Sequence, residues 1–90
     1  MIDELFTTIL SRKTADPASS YTARLLAAGE DEIVKKVGEE AIEVILAAKS
    51  QGNARLIEET ADLTYHVLVL LASRGLTPAD VAAELARRKK

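Results

Sequence analysis

The sequence predicts an all-α domain. Three observations carry that expectation: apolar residues recur at helical rather than strand spacing, turn residues punctuate the chain at helix-length intervals, and the hydrophobic content is aliphatic. Of the 90 residues, 48% are hydrophobic but only 3% aromatic, so Ala, Leu, Ile and Val must do the packing. Such an Ala- and Glu-rich aliphatic mixture is typical of helices packed on helices. No strand-like alternation persists over a useful length, and no internal repeat is present. The length corresponds to a single domain, residues 1–90, in which a lone chain buries only a modest fraction of its surface.

The elements follow in order. Ile2, Leu5, Phe6, Ile9 and Leu10 give a helical period from Ile2 to about Lys13. Asp16-Pro17 ends it, because the residue before proline is pushed out of the α region. Ser19 or Ser20 can cap a short second helix, Tyr21 to Ala28, which stops at Gly29. A long third helix runs from about Asp31 to Ser50, and Gln51-Gly52-Asn53 is a turn signal. The fourth helix, Ala54 to Ser73, stops near Gly75. Thr77 caps the fifth, with Pro78 at its first position and Asp80 in its first turn.

The third and fourth helices, joined by a short turn, should form an antiparallel hairpin. On the third, Ile33, Val37, Ala41, Val44 and Ala48 form one apolar stripe, and Ile42 and Leu46 lie roughly opposite. On the fourth, Leu56, Leu63, Val67, Leu70 and Leu71 make one stripe, and Ile57, Ala61 and Leu68 another. Helices apolar on most of their circumference must be covered on most of it, which a monomer this small cannot readily do. The expected assembly is a homodimer in which these hairpins pack into a helical bundle.

Composition removes several classes of function. The chain has no cysteine, so disulfides and thiolate metal sites are excluded. A net charge of −2 argues against a general nucleic-acid binder. No apolar run approaches the roughly 20 residues that span a bilayer, and no signal-peptide pattern opens the chain. A soluble cytoplasmic protein with no membrane partner is expected.

Against the apolar stripes the acidic residues stand out. Glu39, Glu40 and Glu43 share one flank of the third helix, since positions three and four apart are neighbours. Glu59 and Asp62 are likewise three apart on the fourth, and His66 continues their row. Two antiparallel helices can thus aim four or five carboxylates at one volume. In a partly desolvated place their repulsion costs several kcal/mol unless cations or protons compensate. Oxygen-only ligands select a hard divalent cation, Mg²⁺ or Mn²⁺. The plainer alternative is that the glutamates are helix formers paired at the surface, as Glu39–Lys35 or Glu40–Lys36.

The other candidates have plain readings beside functional ones. His66, the only histidine, reads as a hydrogen-bonded structural residue. Tyr21 and Tyr65 read as packing residues, with Tyr21 near a loop where it could meet a ligand. Arg87, Arg88, Lys89 and Lys90 read as a solvated helix end that complements the dipole. Lys35 and Lys36 precede the acids by about a turn and, with Arg24, could bind phosphate oxygens. No phosphate-binding glycine loop, nucleophilic triad or dinucleotide fingerprint is present. Carboxylates holding a hard cation beside lysines suit hydrolysis of a phosphoanhydride by water, with no covalent nucleophile.

Glu39-Glu40-Ala-Ile-Glu43 followed by Glu59-Thr-Ala-Asp62 resembles the signature of the all-α, MazG-like nucleotide pyrophosphohydrolases. SYTARLLAAGEDEIVKKVGEEAIEVILAAK and LIEETADLTYHVLVLLASRGLTPADVAAEL are similar to the phosphoribosyl-ATP pyrophosphatase branch across nearly the whole chain. The resemblance implies hydrolysis of 1-(5-phosphoribosyl)-ATP to the AMP derivative and pyrophosphate, an early step of histidine biosynthesis, by a Mg²⁺-dependent cytoplasmic homodimer. It implies Glu40, Glu43, Glu59 and Asp62 as metal ligands. Glu39 is implied as an outer acid, a ligand for another metal, or the base that activates water. Arg24, Lys35 and Lys36 match basic positions of the branch, and Ser20 and Tyr21 lie in its own segment, all as substrate contacts. No partner domain accompanies the sequence, so a stand-alone enzyme is expected. Two rivals remain: a housecleaning hydrolase of ordinary nucleoside triphosphates, and a non-catalytic dimerisation module with solvated glutamates.

Overall fold

A computed structural model describes residues 1–89; Lys90, the last of the basic run, lies outside the described residues. The described residues form five α-helices: α1 (Ile2–Ser11), α2 (Tyr21–Ala28), α3 (Glu30–Ser50), α4 (Asn53–Ser73) and α5 (Pro78–Arg88). There is no strand among the described residues. None of these helices is long and apolar enough to cross a membrane.

The junctions are made locally. The first helix stops at Ser11 and gives way to a 3₁₀ turn over Arg12–Thr14, short of the expected Lys13. Ser20 is the cap of α2, its hydroxyl accepting from the Ala23 amide at 2.9 Å. Gly29, at φ 100°, is the single residue between α2 and α3, a conformation in which any side chain would be strained. Gly52, at φ 87°, follows Gln51 in the two-residue turn between α3 and α4. Thr77 and Asp80 form a reciprocal capping box at the start of α5, with Pro78 at its first position.

α3 and α4 pack along each other as the expected hairpin, and this is the main contact of the fold. α1 lies on α4, and α2 lies on α3 and the 3₁₀ turn. The core is therefore at the open end of the hairpin: Phe6 and Ile9 from α1, Leu25 from α2, Ile33 from α3, and Leu68, Val69 and Ala72 from α4. Arg74 donates to Glu30 at 2.7 Å, an ion pair that ties the two helices together at that end. Between the N-terminal part of α1, α4 and α5 runs an apolar groove of about 380 Å³, floored by Leu63, Val67 and Leu71.

Burial departs from the expected stripes in two respects. On α3 the inward line is Ile33, Val37, Glu40, Val44 and Ala47, in alternating steps of four and three; Ala47 is buried and Ala48 is exposed. On α4, Val69 and Ala72 are fully buried, whereas Leu56, Leu63, Val67, Leu70 and Leu71 are half-buried. Of the expected second apolar sides, Ile42, Leu46 and Ile57 face outward near the hairpin turn, 58%, 46% and 71% exposed, as does Ile45, whereas Leu68 is buried.

Candidate metal centre

The hairpin pairing sets the carboxylates. Glu40 on α3 faces Glu59 and Asp62 on α4, and these three offer oxygens that all lie within 4.8 Å of one another. Glu59 is buried, Glu40 is half-buried and Asp62 is exposed, so the cluster forms the wall and lip of the α3–α4 seam. Glu43 is half-buried one turn further along α3 and is not one of the trio. Glu39 is exposed, and its carboxylate lies 3.7 Å from Lys36 Nζ. That pair is the one the surface forms here; neither Glu39–Lys35 nor Glu40–Lys36 pairing occurs among the described residues.

Among the described residues, one cation reaches the trio. Arg55, a turn before Glu59 on α4, donates through Nη2 to Glu59 Oε1 at 2.7 Å and through Nη1 to Glu58. Its pKa is raised, chiefly by the hydrogen bond to Glu58 and then by the charge of Glu59. A single guanidinium shared between two glutamates leaves Glu40 and Asp62 without an ion-pair partner among the described residues. Sequence reading passed over Arg55, although its spacing of three and four to Glu58 and Glu59 was visible.

The donor set fits a hard divalent cation. All candidate ligands are carboxylate oxygens, and Mg–O bonds of 2.0–2.1 Å allow ligand oxygens to be at most about 4.2 Å apart. The observed spread needs only small side-chain rotations to close. Three like charges beside one guanidinium provide the electrostatic reason for a cation to enter.

Beyond the trio, the seam continues to His66. Its Nδ1 lies 2.7 Å from the Asp62 carbonyl oxygen, and its Nε2 lies 2.9 Å from Tyr21 Oη. The expectation of a hydrogen-bonded histidine is thus met, with the Tyr21 hydroxyl as one partner. Tyr65 also packs edge-on against the ring, and burial raises its pKa. Tyr21, Arg24, Glu32 and Lys36 line a cleft of about 300 Å³ between α2 and α3. Arg24 stacks over the Tyr21 ring at 5.7 Å. Lys35 is exposed and does not line this cleft, and the Ser20 hydroxyl is occupied as the α2 cap.

Fold and site together define a class: an all-helical protein whose central hairpin presents an oxygen-only acidic cluster suited to a hard divalent cation. The comparisons narrow that class. Residues 2–89 match the model of the family described as phosphoribosyl-ATP pyrophosphohydrolase. The phosphoribosyl-ATP pyrophosphatase of Pelotomaculum thermopropionicum is 56% identical over 90 residues, which is all of this chain and 92% of that protein. The protein of the same name from Trichlorobacter lovleyi is 58% identical over 88 residues, covering 98% of this chain and 82% of that one. The one from Saccharolobus solfataricus is 46% identical over all of this chain and 96% of its own length. The chain belongs to the phosphoribosyl-ATP pyrophosphohydrolase family.

Proposed function

We propose that this chain hydrolyses 1-(5-phosphoribosyl)-ATP to 1-(5-phosphoribosyl)-AMP and pyrophosphate, an early step of histidine biosynthesis, at the seam of α3 and α4. The observation that carries the reading is the meeting of Glu40, Glu59 and Asp62 within 4.8 Å, in a chain of this family. These three residues hold Mg²⁺, and Glu43, one turn from Glu40, joins them as a fourth ligand. When bound, Mg²⁺ supplies neutralising charge to the polyphosphate and to the departing pyrophosphate.

The remaining work falls to the chain's own side chains. Arg24 and Lys36 grip phosphate oxygens in the α2–α3 cleft, with Lys35 adding long-range attraction from the surface. Glu39 keeps Lys36 turned along α3 through their ion pair. Glu39, outside the ligand set, takes the proton of the attacking water. Ser20, by capping α2, and Tyr21, as a wall of the cleft, define where the nucleotide lies. The aliphatic face of Ile42, Ile45, Leu46 and Ile57 packs on a second copy of the chain, giving a homodimeric, cytoplasmic enzyme; its support is the exposure of four large hydrophobic residues around one turn.

The test is pyrophosphate release from phosphoribosyl-ATP, with ATP in parallel, with and without Mg²⁺, on wild type and Glu40→Gln. Metal-dependent release from the adduct, lost in the variant, is the expected result. Equal release from ATP would move the chain to housecleaning chemistry. No release from either would leave a helical scaffold.

A further inference from the structure

α2 carries the arginine and the tyrosine of the cleft, yet it is short and its inward residues are mostly small: Thr22 and Ala23 are buried beside Leu25. Among the described residues, one side-chain hydrogen bond joins α2 to the hairpin, that between Tyr21 and His66. Its direction can be deduced. The Asp62 carbonyl can only accept, so His66 Nδ1 bears the proton and donates to it. In the neutral ring Nε2 then holds the lone pair, and the Tyr21 hydroxyl donates to it. The imidazole stands edge-on to Tyr21 at 5.9 Å and to Tyr65 at 5.3 Å, which holds it in one orientation. Arg24 in turn lies over the face of Tyr21. An unbroken series of contacts therefore runs from the backbone of Asp62, through His66 and Tyr21, to Arg24.

We propose that His66 is a positioning residue for the substrate. By holding the Tyr21 hydroxyl to the helix that bears Glu59 and Asp62, it fixes the distance between the phosphate-gripping cleft and the carboxylate trio. This deepens the functional reading above and rests on it for the role of the cleft. Without the bond α2 stays docked through Ala23 and Leu25, but Tyr21 and Arg24 lose their register with α4.

The experiment measures KM and kcat for phosphoribosyl-ATP, and equilibrium binding of the same nucleotide to the metal-free chain, in Tyr21→Phe, His66→Phe, His66→Gln, Arg24→Ala and the double variant His66→Phe/Arg24→Ala. Losing one neutral hydrogen bond should raise KM and the dissociation constant about 3- to 10-fold, with kcat nearly unchanged. His66→Gln, whose amide oxygen accepts from Tyr21, should recover most of the loss. The double variant should be little worse than Arg24→Ala, because both act on one contact. Nitrogen NMR should show the Nδ1–H tautomer of His66 in the wild type. A fall in kcat at constant KM, or effects of His66→Phe and Arg24→Ala that multiply, would overturn the positioning role. Should His66→Phe not fold, Tyr21→Phe, at a residue 40% exposed, carries the same comparison. A wild type that binds the nucleotide without hydrolysing it sinks the hydrolase reading, and the binding data still decide the positioning one. A wild type that does not bind it overturns both.

Discussion

The two ends of the α3–α4 hairpin are built from the same aliphatic residues and meet opposite fates. At the open end Ile33, Val69 and Ala72 are fully buried beneath α1 and α2. At the turn end Ile42, Ile45 and Ile57 lie mostly in solvent. The carboxylate trio sits between them, where the cover of the other helices runs out. The difference teaches that one aliphatic pattern is covered only where the chain's other helices reach it. One end is finished by the chain's own helices, and the other is the face proposed above to take a second copy, with charge concentrated along the border.

Substitutions at the two ends test that contrast most sharply. Ile33→Ala should cost about 2–5 kcal/mol of folding free energy, because it opens a cavity in a packed core, and chemical denaturation would measure it. Ile45→Asp should leave the stability of a lone chain almost unchanged. Its effect should appear in sedimentation, as loss of the dimer; a stable monomer for the wild type would instead break the comparison.

The border comes next. Asp62→Asn should lower metal-dependent pyrophosphate release by more than about 100-fold, since even residues that only support metal ligands commonly cost 10- to 100-fold. The same change should raise the thermal midpoint of the metal-free protein, because it removes one of three crowded charges. Glu59→Gln should not raise it in the same way, since it also weakens the bond to Arg55. A lowered midpoint for Asp62→Asn would mean that the acids are structural partners.

A smaller effect is expected at Gly38, a mid-helix glycine on α3 next to the acids. A Cβ built there meets nothing within 4 Å, so alanine fits the chain without hindrance. Gly38→Ala should stabilise the monomer by about 0.5–1 kcal/mol, by helix propensity alone. Such a gain accompanied by a raised KM or a weaker dimer would identify the open flank at Gly38 as a place of close approach.

The smallest effect lies on α5, far from the border. Glu84 is bonded by Arg87 and Arg88, first of all by Arg87, and its pKa is lowered. A lowered pKa contributes stability above the ordinary carboxylate value and loses it as pH falls through the lowered one. Because the group is solvent-exposed, Glu84→Gln should alter only slightly the acid limb of a stability–pH curve.

Much of this was legible in the sequence because it is local. Capping residues and the turn at Gln51–Gly52 place helix ends within a residue or two, and the hairpin follows from the short connection. Which side of α3 faces inward was less legible. The expected stripe follows the apolar letters through Ala41 to Ala48 and drifts off the 3.6-residue period, which from Ile33 passes Glu40 and Ala47, the residues that packing along α4 turns inward. The same line selects Glu40, and not Glu39 or Glu43, to face Glu59 and Asp62. Arg55 could have been found from its spacing to Glu59. The bond from Tyr21 to His66 could not, because 45 residues separate its partners and only the docking of α2 brings them together.

The short turn at Gln51–Gly52 also has a kinetic consequence. Neighbouring helices joined so closely pair through local contacts, which form early in folding. α2 is joined to α3 by Gly29 alone, but α1 needs the longer segment up to Ser20 to close before it can cover the open end. The acids of α3 and α4 therefore meet while the chain is still half assembled, and their repulsion falls on the folding barrier as well as on the native state. A divalent cation that screens them at that moment will speed refolding more than it slows unfolding.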